Sequence, residues 1–68
     1  MVIADTIYRI TEIGSITVAL FEIDGNFEVL KVQGESVSLI VRTSNLTEAE
    51  QQFQSTVTLQ ELELIDNI

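Results

Sequence analysis

The sequence predicts a small α+β domain: a four-stranded antiparallel β-meander (about 2–12, 15–24, 26–33 and 35–43), one short helix (about 47–54), then a C-terminal strand (about 56–65). Three observations carry this reading. The runs Ile16–Ile23, Phe27–Val32 and Ser36–Val41 are rich in β-branched and large apolar residues, which suit a pleated surface. Short glycine-containing segments, Asp24-Gly25-Asn26 and Gln33-Gly34-Glu35, separate them at the spacing a hairpin needs. From Ser44 the character changes abruptly, and helix-capping residues lead into a polar stretch with apolar residues at helical intervals.

Residues 2–13 admit two readings. Ile3, Ile7, Ile10 and Ile13 recur at helical spacing, with Gly14 placed to end the helix. The residue types argue the other way, because Val2, Ile3, Thr6, Ile7, Ile10, Thr11 and Ile13 are all β-branched and stiff at χ1. A strand is preferred, with Tyr8 and Ile10 on one side, Ile7 on the other and a turn over Glu12-Ile13-Gly14-Ser15.

The second run places Ile16, Val18 and Leu20 on one face and Ala19, Phe21 and Ile23 on the other. Two apolar faces describe a central strand covered on both sides. The Asp24-Gly25 pair fits a two-residue type I′ loop joining Ile23 to Asn26; using Gly25-Asn26 instead would join Asp24 to Phe27 and move Phe27 to the other face. In the third run Phe27 and Val29 share one face, and Leu30 and Val32 the other. The fourth sets Val37, Leu39 and Val41 against Ser36, Ser38 and Arg42, with Ile40 out of pattern.

The helix has two overlapping capping boxes, Thr47-x-x-Glu50 and Asn45-x-x-Glu48. Leu46, Ala49 and Phe53 form its apolar face, which packs on the sheet. Beyond it, Val57 and Leu59 alternate out of phase with Leu62 and Leu64, so a strand there needs a bulge near Gln60-Glu61. The rival is a second helix capped by Thr58, with Leu59, Leu62 and Ile65 as its stripe; Thr56-Val57-Thr58 is a poor helical lead-in, and strand is preferred.

Sixty-eight residues allow one compact domain, residues 1–68, which hides only about 60% of the surface exposed by its unfolded chain. Cysteine and histidine are absent, which removes disulfides, thiolate and imidazole metal ligands, and the usual bases for nucleophilic catalysis. Hydrophobic residues make up 46% of the chain, more than a half-exposed monomer hides easily, and this favours a partner surface.

Three basic residues face eleven acidic ones, for a net charge of −8. Direct nucleic-acid binding and adhesion to anionic membranes are disfavoured, since both depend on Lys and Arg. The chain shows no basic leader and no apolar run approaching the ~20 residues of a membrane span, so an intracellular or particle-associated protein is expected.

Remaining devices for chemistry are sparse. Lys31 is the sole lysine, and a solvated edge position explains it. Glu22 with Glu28 across the hairpin, or Glu61 with Glu63 on one strand face, could pair carboxylates, but a solvated charged rim is the preferred explanation, because a catalytic pair also needs a shaped pocket. Asp24-Gly25-Asn26 lacks the alternating oxygen ligands of a calcium loop, and Asn45-Leu46-Thr47 is explained by capping as well as by glycosylation. The expectation is a protein that is not an enzyme and carries no cofactor or metal.

Two functional readings follow. One is a protein–protein interaction or assembly module, a homo-oligomer or a small subunit of a larger particle, using an apolar strand face or edge with Phe21, Ile23, Leu30 and Ile40 as contacts. The other is a small acidic inhibitor, of the nucleic-acid-mimic type that viruses and mobile elements encode. It would present Glu48, Glu50, Glu61, Glu63 and Asp66 to a basic site on a nucleic-acid-binding protein. A ligand carrier built as a closed five-stranded barrel, and an enzyme completed at a subunit interface, are weaker alternatives.

Overall fold

A computed structural model describes residues 6–66, so the part of the first expected strand before Thr6 lies outside the described residues. Four antiparallel strands form one sheet in sequence order: β1 (Thr6–Ile13), β2 (Ile16–Ile23), β3 (Asn26–Gln33) and β4 (Ser36–Thr43). One long helix, α1 (Leu46–Asp66), follows and packs against all four strands on one face.

Each hairpin closes through a two-residue turn. Ile23 pairs with Asn26, which leaves Asp24 and Gly25 as the loop with φ of 52° and 79°. Positive φ at both central residues is the type I′ geometry whose twist matches the flanking strands, and Asp-Gly is well suited to it. This register places Phe27 opposite Glu22 and Val29 opposite Leu20, on the face that receives the helix.

β1 is a strand, as its β-branched residues require, but its alternation is broken. Ile7 pairs with Phe21 and Arg9 with Leu20, so Tyr8 is an extra, bulged residue. Ile7 and Ile10 therefore share a face instead of opposing one another. The Tyr8 ring meets Phe27 edge-on at 5.7 Å, and its hydroxyl donates a long 3.5 Å hydrogen bond to Glu22 Oε1. A second bulge falls in β4, where Val29 pairs with Val41 and Leu30 with Leu39, leaving Ile40 as the extra residue. It explains why Ile40 breaks the alternation, and it splits the expected apolar set: Val41 joins the helix side while Val37 and Leu39 turn away.

The C-terminal strand expected at about 56–65 is helix, and the short helix expected at 47–54 runs on to Asp66. Packing overrides propensity here. Val57 falls one turn beyond Phe53 on the sheet-facing stripe, and with Ala49 both are buried. Burying a valine stabilises by about 1.5–3 kcal/mol, against a few tenths for placing β-branched residues in a helix. The threonines are accommodated within the helix: Thr56 Oγ1 donates to the Gln52 carbonyl at 2.8 Å, and Thr58 Oγ1 accepts from Gln54 Nε2 at 3.3 Å.

The core is the layer between α1 and the sheet. Val18, Leu20, Val29 and Ala49 are fully buried there beside Ile13, Phe53 and Val57, with Ile16, Phe27, Val41 and Leu46 packed around them.

Of the two overlapping helix starts, the earlier one forms, as an N-cap whose own N–H is taken by Thr43 instead of by the Glu48 side chain of a full capping box. Asn45 Oδ1 accepts from the Glu48 backbone N–H at 3.2 Å, and Thr43 Oγ1 accepts from the Asn45 N–H at 3.1 Å. Thr47 is already inside the helix. Asn45→Ala is expected to lower stability by about 1 kcal/mol while Thr47→Ala changes it by less than about 0.5 kcal/mol. Urea denaturation of both variants measures this; an equal or larger loss at Thr47 would assign the cap to Thr47 instead.

Candidate functional site

The pairing register divides the strand side chains between two faces. Toward α1 point Val18, Leu20, Phe27, Val29 and Val41, while Ile7, Ile10, Ala19, Phe21, Ile23, Leu30, Val32, Val37 and Leu39 lie on the opposite face. No element of the described chain covers this second face. Ile7, Ile10, Val37 and Leu39 are all more than half exposed, and Leu30 and Val32 are half-buried between them. Phe21 is enclosed by its neighbours within the sheet although it stands outside the helix-facing core.

Three of the four expected contact residues, Phe21, Ile23 and Leu30, share this open face. Ile40 is the bulged residue of edge strand β4 and is 38% exposed. Alternation along the strands also understated the face. Ile7 and Ile10 join it through the Tyr8 bulge, and Val37 and Leu39 were grouped with Val41, which faces the helix.

Polar groups on the open face are few. Glu28 and Arg42 sit directly opposite one another, with Arg42 Nε 3.5 Å from Glu28 Oε2. The carboxylate end is largely covered and the guanidinium largely exposed. Glu12 and Thr17 form a pair at one margin of the same face.

The two carboxylate pairs that the sequence allowed, and that a solvated rim already explained, are not assembled. Glu22 is opposite Phe27 and Glu28 opposite Phe21, on different faces of the sheet, because the Asp24-Gly25 register offsets them by one residue. Glu61 and Glu63 lie on a helix instead of a strand, about 200° apart around its axis. Glu48, Glu50, Glu61 and Glu63 are all exposed on α1, and Asp66 is its last residue. Glu50 and Glu61 share one flank, about 16 Å apart along the axis, and Glu48 and Glu63 the other.

Lys31 is not on an edge. It belongs to central strand β3, opposite Val18, and lines a crevice of about 250 Å³ with Gln33, Gln60, Glu63 and the Gly14-Ser15 turn. That volume falls below the ~300–1,000 Å³ of ordinary ligand sites. A second apolar feature lies on the outer surface of α1, where Leu59, Leu62 and Ile65 are exposed at helical intervals. Among the described residues no three carboxylates converge as metal ligands would, and no helix is long and apolar enough to cross a membrane.

Comparison with protein-family models, curated proteins and solved structures finds no match. The functional reading therefore rests on the geometry of the chain itself.

The Glu28–Arg42 pair gives the largely covered Glu28 carboxylate, which stands opposite Phe21, a compensating charge. In dilute solution a double-mutant cycle on Glu28→Ala and Arg42→Ala should give a coupling of about 0.2–1 kcal/mol that weakens with salt. Zero coupling at low salt would mean that the two side chains do not act as a pair.

Proposed function

We propose that this chain is a non-enzymatic assembly module whose open sheet face is a protein–protein interface. The observation that carries the reading is the contiguous apolar surface on one side of the meander, from Ile7 and Ile10 on β1 to Val37 and Leu39 on β4. Large exposed apolar patches on small proteins mark interaction surfaces, because leaving them in water forgoes about 25 cal/mol per Å². The core lies on the other side of the sheet, and none of the described elements packs on these residues.

The face is favoured over the edges. Both edge strands carry a bulge, at Tyr8 in β1 and at Ile40 in β4, and each bulge interrupts the row of backbone groups that an added strand would pair with. The acidic-inhibitor reading draws on a different surface. Four exposed glutamates on α1 have no basic residue among them on that helix, which suits a basic partner, but their division between two flanks makes this the second reading.

The double variant Val37→Lys/Leu39→Lys separates the interface from the fold. Both positions are well exposed, so substitution should change the stability of the isolated chain by less than about 0.5 kcal/mol per site. In native-host extract the wild type should elute in a species larger than the 7.6 kDa chain, and the variant as the lone folded chain. A wild type that elutes alone, or a variant that keeps the larger species, would contradict the reading.

A further inference from the structure

Resting on the interface reading, we infer that the occupant of the open face is a second copy of the same chain, packed sheet to sheet about a two-fold axis with the helices outermost. Area is the first argument. Four strands of eight residues, at about 3.4 Å per residue and about 4.8 Å between strands, present a face of roughly 27 by 19 Å. Two such faces bury on the order of 1,000 Å² in footprint alone, and more when the corrugated side-chain surface is followed. That reaches the level at which specific interfaces begin. A two-fold packing is self-complementary by construction of the symmetry, so one apolar patch supplies both halves.

Charge placement is the second argument. A net charge of −8 per copy would oppose association if it lay at the contact. It does not. The open face carries the Glu28–Arg42 pair, which is internally neutral, and Glu12 at its margin. Glu48, Glu50, Glu61 and Glu63 are on α1, on the far side of the sheet. With the two sheets ~10 Å apart and a helix layer beyond each, the helices stand about 30 Å from one another, well past the ~8 Å screening length of physiological salt.

The same placement disfavours the other way two copies could meet. Docking the outer stripe of α1, around Leu59 and Leu62, onto the open face of the next copy would bring Glu61 and Glu63 toward a face whose only basic residue, Arg42 among those described, is already paired with Glu28. Head-to-tail contacts of that kind propagate without closing, whereas the two-fold contact stops at two.

Sedimentation equilibrium of the purified chain at about 10–100 µM tests this. The expected result is a species of twice the 7.6 kDa chain mass, whose association is unchanged or tightened on raising sodium chloride from low to high concentration, since salt screens the residual repulsion. Leu39→Lys should shift the dissociation constant at least tenfold toward monomer with the circular dichroism spectrum retained, while Leu59→Lys should leave the dimer intact. A wild type that stays monomeric at 100 µM overturns the inference, as does a dimer unaffected by Leu39→Lys, an open-ended mass series abolished by Leu59→Lys, or dissociation by salt. If the purified chain is monomeric while native extract still holds a larger species lost in Val37→Lys/Leu39→Lys, the interface reading stands and only the second copy is excluded.

Discussion

One helix can cover one face of a sheet. A four-stranded sheet with apolar residues on both faces needs two covers, and the described residues supply a single 21-residue helix. The contrast between the two faces follows from that geometric mismatch. The face under α1 holds Val18, Leu20 and Val29 with no solvent exposure, and the face away from it leaves Ile7, Ile10, Val37 and Leu39 in water. The division is enforced by register, because shifting any strand by one residue would exchange the two sets. The Asp24-Gly25 turn sets the central register, and the bulges at Tyr8 and Ile40 tune which edge residues join which face.

Much of the meander was legible because strand signals are local. The glycine turns bound β2, β3 and β4 to within a residue or two, while the sequence left two registers open at Asp24-Gly25-Asn26 and the structure adopts the Ile23–Asn26 pairing. The β-branched content of residues 6–13 correctly outweighed their helical spacing. The bulges were not legible. An extra residue changes alternation only if one already knows which partner it faces, so Tyr8 was placed beside Ile10 and Val41 beside Val37.

Over the C-terminal third the sequence admits both strand and helix, and its local preference for a strand is overturned for a related reason. Thr56-Val57-Thr58 carries a strand propensity that can be read locally, but the burial of Val57 against the sheet and the hydrogen bonds of Thr56 and Thr58 to the preceding turn are tertiary or helix-dependent facts. The phase change between Val57-Leu59 and Leu62-Leu64, which a strand could absorb only with a bulge, is the helical periodicity showing through. The candidate site was legible in part for the same cause. That the chain has a surplus apolar face could be seen in β2 alone, from Ala19, Phe21 and Ile23 opposite Ile16, Val18 and Leu20; its extent onto both edge strands could not.

The proposed assembly resolves the mismatch by supplying the missing cover from a second sheet, and it leaves the acidic helices facing solvent. Isotope-filtered NMR on a mixture of labelled and unlabelled chain tests this most directly. Face-to-face packing predicts intermolecular contacts among the methyl groups of Ile10, Leu30, Val37 and Leu39, and none from Leu59 or Leu62. Intermolecular contacts that arise instead from the outer surface of α1, or along the backbone of an edge strand, would contradict it.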